Sequence, residues 1–345
     1  MLKIFLSSCP KNNSASDMMS SSKLKFLRSS AFSSLTLILV SIFFTQSCSA
    51  QSHPETKNNG ESSLMPPSVP DYLVFAGDTI RFDRSDIRER MDREIIAFTY
   101  THSTSILMIK RANRYFPQVE PILKANGIPD DLKYLMVIES NLDPRSVSSA
   151  SAAGLWQFTE STGKSYGLVI NENVDERYNI EKSTVAACKY LSEAYSKYGD
   201  WMTAAASYNG GQQGMSRKLE SQNQKKAMDL WLVDETSRYM FRILVAKMMF
   251  SNPTEFGFYL TADQLYPNIP TKDTVVVTTT IPDLVKFAEN HAVSYAQLKQ
   301  ANLWLRASVL NNSSHREYKI IIPDEKAELY DPKKIVPHNQ AWVVK

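Results

Sequence analysis

The sequence predicts a mainly α protein that ends in a small α+β module, and three observations predict it. Beyond residue 84, apolar residues recur at three- and four-residue steps, as in SDIRERMDREIIAF, the spacing that gives a helix one apolar face. From Thr271 the texture changes to a β-branched run, two short helical stretches and the alternating segment YKIIIP, which reads as strand-helix-helix-strand. Finally, 345 residues that are 43% hydrophobic and 22% charged suffice for a sizeable core and for more than one domain.

The first 50 residues stand apart from that body. They hold five cations (Lys3, Lys11, Lys23, Lys25, Arg28) and one anion, Asp17, then an apolar segment from about Ala31 to Phe44 and small residues down to Cys48. This is the pattern of a secretory signal, too short for a membrane-spanning helix. It resembles a lipoprotein signal in which Cys48 would be acylated, with cleavage after Ala50 as the alternative. Met18 or Met19 also serves as a start, because the residues before them add nothing a signal needs. Of 39 Lys and Arg and 36 Asp and Glu, the leader takes five and one, leaving 34 and 35. The exported body is near neutral, and its charge gives no case for nucleic acid.

Cys9 and Cys48 fall in the leader, so Cys188, among small residues on a helical pattern, is expected as a packed thiol. His53, His102, His291, His315 and His338 lie far apart, so neither a metal nor a cofactor is expected. Residues 51–70 are polar and Pro-rich, and a linker is expected over 51–78. A helix follows in which Ile87, Met91, Ile95 and Phe98 share a face, with Ser85 or Asp86 placed to cap. Two further helices are expected, from about Ser105 to Tyr115 and from Pro117 to Ala125, the second stopped by Asn126-Gly127.

In IPDDLKYLMVIES, Pro129 opens the next helix and Glu139 falls near its C-terminal end, after an almost wholly apolar run. Desolvation and the negative end of the helix dipole both oppose its ionisation. Both push Glu139 towards being protonated near neutral pH, the state a general acid needs. The competing reading is a Glu that turns back to water. Asp143 is the nearest other acid in sequence; Glu160, Asp175 and Glu235 belong to separate segments. Trp156 and Trp201 suit a core as well as a sugar platform, and Asp175, Glu176 and Arg177 suit a fixed loop. NGGQQG follows a helix rather than a strand, which argues against a phosphate loop.

Five blocks follow one another in order: IPDDLKYLMVIES, then 149–168, 174–201, AAASYNGG (204–211) and LWLVDETSRYMFRIL (230–244). Together they resemble the soluble-lytic-transglycosylase-like catalytic domain, in particular the membrane-bound transglycosylase D group, from about Ser85 to Leu260. The resemblance implies a goose-lysozyme-like helical domain, bounded here at 79–262, with a long saccharide groove. It makes Glu139 the catalytic acid and Ser140, Gln157, Tyr208, Asn209 and Tyr239 the substrate-binding set, with Tyr239 pointing at Glu139 and Glu235 as a supporting acid. Ser207 stands where the group has Ala. Residues 271–323 resemble a LysM repeat, a module that binds N-acetylglucosamine chains, clearest in VSYAQLKQAN. TTTIPDL replaces its usual GDTL opening, so the module is degenerate. The tail, 324–345, carries no readable signal.

The implied activity is lytic cleavage of the β-1,4 bond between N-acetylmuramic acid and N-acetylglucosamine in peptidoglycan. Most glycosidases need two carboxylates; one suffices where the substrate supplies its own nucleophile, as the muramic acid C6 hydroxyl does in forming a 1,6-anhydro end. A muramidase that admits water and a non-catalytic peptidoglycan-binding lipoprotein remain as alternatives. The partners implied are glycan strands, the outer membrane through the lipid anchor, and proteins of wall synthesis or its regulation. The location is the periplasmic face of the outer membrane, or the soluble periplasm.

Overall fold

The computed structural model describes residues 65–268, 270–324, 326 and 329–344; the expected signal segment, Cys48 and the expected linker up to residue 64 lie outside them. Among the described residues no helix is long and apolar enough to cross a membrane. The chain is mainly α, with a small α+β module near its C-terminus.

The described chain opens with a hairpin of β1 (Tyr72–Phe75) and β2 (Asp78–Arg81), paired Tyr72 to Arg81 and Phe75 to Asp78. Ala76 and Gly77 turn it with positive φ of 51° and 92°, the two-residue geometry that matches strand twist. Val69, Phe75 and Phe82 are buried, and Arg88 donates to the Val69 carbonyl at 2.9 Å. The expected linker over 51–78 is therefore corrected: its last ten residues are pinned to the helical body by these apolar anchors.

Helix α1 (Ser85–Tyr100) buries Ile87, Met91, Ile95 and Phe98 on one face, along with Glu94. Neither Ser85 nor Asp86 caps it through its side chain; Asp86 instead pairs with Arg84 at 2.9 Å. Helix α2 runs unbroken over His102–Ala125 with Pro117 and Pro121 inside, where the sequence reading expected two helices. Each Pro removes one backbone donor. Burial of Ala112, Phe116, Val119 and Leu123 along one face keeps the helix continuous across both.

Pro129 precedes a 3-10 turn (Asp130–Leu132) rather than lying within the following helix, α3 (Lys133–Ser140). Lys133 through Ile138 are all buried, and Lys133 is held at 2.6 Å by both Glu120 and Asp130. The short α4 (Glu160–Ser165) is capped by Thr159. Helix α5 (Ile180–Tyr198) begins at the Asn179 cap and ends on Gly199 at φ 66°; Cys188 is buried within it. Asp200 caps α6 (Trp201–Gly210) through Thr203 N–H at 2.8 Å. Trp201 stacks on Tyr195 with centroids 4.0 Å apart and leans on the core. Helix α7 is Gln212–Ser221 and α8 is Asp234–Ser251, the latter packed against α1, α3 and α6.

The C-terminal module contains β3 (Thr271–Val277), α9 (Leu284–Asn290), α10 (Tyr295–Ala301) and β4 (Tyr318–Pro323). The strands pair antiparallel, Val277 against Tyr318. Asp283 caps α9, and a Ser294–Gln297 capping box starts α10. Its own apolar cluster includes Leu284, Leu298, Trp304, Leu310 and Ile320, and takes in Ala153, Val174 and Tyr178 from the helical body.

The tail returns to that body. Ile335 and Trp342 enter the main core, Trp342 Nε1 donates to the Phe250 carbonyl at 2.8 Å and Val344 N–H to that of Leu260 at 2.7 Å. Burying an indole contributes on the order of 4 kcal/mol of apolar transfer, so the last residues act as a strap across α2 and α8. Single aromatics spaced through a Pro-rich tail have no period, which is why sequence patterning missed them.

Candidate active site

Helix α3 brings Glu139 to its C-terminal end, and two successive left-handed residues, Asn141 (φ 51°) and Leu142 (φ 57°), turn the chain away at once. Glu139 is half-buried and its carboxyl is densely surrounded. Desolvation pushes it up to about 7 from 4.5; the Tyr239 hydrogen bond and the Arg242 charge pull it down, and Glu235 pushes it up. Tyr239 Oη donates to Glu139 Oε1 at 2.8 Å. Burial raises the Tyr239 phenol well above its ordinary value, so it remains a proton donor in this bond throughout the neutral range.

Four of the five blocks meet through a closed ring of hydrogen bonds. From α3, Ser140 Oγ donates to the Leu155 carbonyl at 2.9 Å and to that of Met136 at 3.0 Å. The next carbonyl, Trp156, accepts from Tyr208 Oη of α6 at 2.8 Å. Beside Tyr208, the Asn209 carbonyl oxygen accepts from Thr236 Oγ1 of α8 at 2.9 Å. One turn further along α8, Tyr239 returns to Glu139. Each helix that contributes a polar group to the site is thus tied to the next, which is how preorganised sites hold their geometry.

The loop 151–158 between α3 and α4 is folded tightly on itself. Ala153 pairs with both Val147 and Phe158, and Gln157, at φ 49°, donates its amide to the carbonyls of Ser146 (3.0 Å) and Gly154 (2.9 Å). Its Oε1 is the end left for another donor. Trp156 is fully buried and donates to Thr184 Oγ1 at 2.9 Å, so it belongs to the core.

Ser140, expected at the substrate, is 4% exposed with its hydroxyl engaged by two carbonyls. Its place corrects that expectation, since it ties α3 to the loop. Glu235 lies exposed in the first turn of α8 and acts on Glu139 through its charge alone. Asp143 sits with Arg111 at 3.0 Å, and Asp175 with Arg177 at 2.7 Å. Two residues escaped the sequence reading. Arg242 lies one turn after Tyr239, and burial lowers its guanidinium while Glu94 and Glu139 face it; Thr236 orients Asn209. Arg242 had a signal, since RYMFRILVAKMM sets a charge in an apolar run just as VIES does. Thr236 had none. Among the described residues no group of His, Cys, Asp and Glu forms a candidate metal site.

The helical domain, which carries a desolvated acid inside a ring of Tyr, Asn and Ser partners, is similar to the family described as the transglycosylase SLT domain. The family of that description matches residues 120–231, and the soluble lytic transglycosylase C-terminal LysM-like domain matches 273–326. The chain is similar to the membrane-bound lytic murein transglycosylase D of Escherichia coli (strain K12), 28% identical over 268 residues, 75% of this chain and 57% of that protein. It is also similar to the peptidoglycan transglycosylase gp16 of Escherichia phage T7, 36% identical over 91 residues, 26% of this chain and 7% of that one. The chain therefore spans a little over half the length of the transglycosylase D it matches.

Proposed function

We propose that the chain is a lytic transglycosylase that cleaves the β-1,4 bond between N-acetylmuramic acid and N-acetylglucosamine of peptidoglycan. The observation that carries this reading is the lone, partly exposed Glu139 held near neutrality by desolvation and aimed by Tyr239. As the acid, Glu139 protonates the glycosidic oxygen and the bond to C1 breaks. As the carboxylate it then takes the proton of the muramic acid C6 hydroxyl, whose oxygen closes on C1 to give the 1,6-anhydro end. The intervening positive charge is met by the sugar's own acetamido oxygen. The Asn209 NH2 suits that oxygen as donor, and the Tyr208 oxygen, whose proton is directed at Trp156, is left to accept from the acetamido N–H. Gln157 Oε1 is available to a sugar hydroxyl.

Digestion of purified sacculi followed by mass analysis of the muropeptides tests the reaction directly. Anhydro ends, one water lighter than reducing ends, are the expected product. Reducing ends alone would assign the site to a muramidase, and no release at all to a wall-binding protein. The C-terminal module is proposed to contact glycan, and the protein to reach the outer membrane through a lipid on Cys48. Mass spectrometry of the mature N-terminus reads the second point.

The pH profile follows from the same proton. Turnover requires protonated Glu139, so the rate holds below about 7 and falls as pH rises through it. Tyr239→Phe removes a bond to the charged form, which raises the Glu139 value further. The alkaline limb is expected to move up by about one pH unit while the plateau rate drops. A limb that stays put, or moves to lower pH, contradicts this role for Tyr239.

A further inference from the structure

The C-terminal module is joined to the helical body at one place in particular, the segment 173–178 that precedes α5. Val174 and Leu305 form an antiparallel bridge. Asp175 N–H donates to the Trp304 carbonyl at 2.9 Å and Arg306 N–H to that of Asn173 at 2.8 Å. The Arg306 guanidinium lies 4.5 Å from the Tyr178 ring centroid. Val174 and Leu305 are each 1% exposed, within one apolar cluster, so this contact is dry at its centre and continuous with the core of the module.

From that segment one side chain reaches the loop that supports the site. Arg177 holds the Asp175 carboxylate through Nε (2.9 Å) and Nη2 (2.7 Å), while Nη1 donates to the carbonyls of Ser151 (2.8 Å) and Phe158 (3.2 Å). Ser151 and Phe158 are the two ends of the loop whose Leu155 and Trp156 carbonyls receive Ser140 and Tyr208. A planar guanidinium with fixed donors suits such a four-point staple, and an ammonium does not. The backbone of Asp175 is fixed by the module, its side chain fixes Arg177, and Arg177 fixes the loop.

We infer that the C-terminal module is a brace for the reaction site, acting through Asp175 and the positioning residue Arg177 on the loop 151–158. The module sets the rate of the reaction proposed above, whatever glycan it also contacts. This claim rests on that reading for its kinetic half alone; the mechanical half concerns only the protein.

Two variants of the full chain test it, Leu305→Ala on the module side and Arg177→Lys at the staple. Each is read by amide hydrogen exchange and by kcat and KM on a soluble peptidoglycan glycan oligomer. Exchange across 151–158 is expected to speed up about 10-fold in both, with α2 and α8 protected as in the parent. The kcat is expected to fall about 10- to 100-fold, the cost of a small misplacement of site groups, with KM changed less than about 2-fold. If Leu305→Ala loosens 295–323 but leaves 151–158 as protected as in the parent, the brace is refuted. If kcat holds while KM rises, the module is a glycan tether and the inference fails. Should α2 and α8 lose protection in Leu305→Ala, Arg177→Lys alone decides, because it leaves the module core untouched. A parent that yields no anhydro ends overturns the proposed function, and the exchange result still decides the brace.

Discussion

Glu139→Gln is expected to lower the release of anhydro-ended muropeptides by at least about three orders of magnitude, because one positioned proton-transfer group contributes about 10²- to 10⁴-fold and here the same group acts twice. The amide keeps the size of the side chain and accepts from Tyr239 through its oxygen, so the ring of hydrogen bonds around the site survives and sacculus binding is retained. The same substitution is expected to make the protein more stable at alkaline pH. Glu139 titrates near 7 in the folded chain against 4.5 for an ordinary Glu, so between those values the folded state binds the proton that the unfolded state has lost. The stability this gives is fully present below about 4.5 and is lost as pH rises through about 7. At pH 8 the ionised, desolvated carboxyl is a liability, on the order of 2 kcal/mol once its partial exposure is allowed for. Urea unfolding of parent and variant at pH 5 and pH 8 reads this, and the variant's gain should appear at pH 8. A variant that stays active, or that gains nothing at pH 8, removes the desolvated acid from the account.

The apolar run before Glu139 told of that acid because desolvation is written in neighbours along the chain. Arg242 obeyed the same rule inside the block 230–244 and was still overlooked. The continuity of α2 through two prolines and the strap around Trp342 were not legible, since each depends on burial supplied by residues more than 90 positions away, such as Phe250. The hydrogen-bonded ring was legible as blocks and not as bonds. The resemblance implied Ser140, Gln157, Tyr208, Asn209 and Tyr239 as a substrate-binding set, but only the fold shows that Ser140 binds the loop from within and that Gln157 donates to its own backbone. The degenerate opening of the C-terminal module, TTTIPDL, said nothing of the contact this module makes with 173–178, because docking surfaces carry no period.

The loop's tolerance of change is decided at Gly154. Its φ is +77°, and a Cβ there would lie 2.0 Å from the carbonyl oxygen of Arg177 and 2.9 Å from the carbonyl carbon. No real contact is that short, and the obstacle is backbone, which cannot swing aside as a side chain would. Gly154→Ala is therefore expected to force 151–158 and 175–178 apart and to destabilise the protein by about 3 kcal/mol or more, combining left-handed strain with overpacking. The separation breaks the staple from Arg177 and shifts the two carbonyls that receive Ser140 and Tyr208, so turnover should fall more steeply than the unfolding midpoint. Gly214→Ala is the matched control: it lies within α7, has open space around the added methyl, and is expected to be neutral or to stabilise by up to about 1 kcal/mol. Denaturant midpoints and initial rates on sacculi, measured for both variants, separate the outcomes. Equal stability of the two would mean that the chain yields where its backbone is most crowded, and that the loop is not fixed by its packing against 175–178.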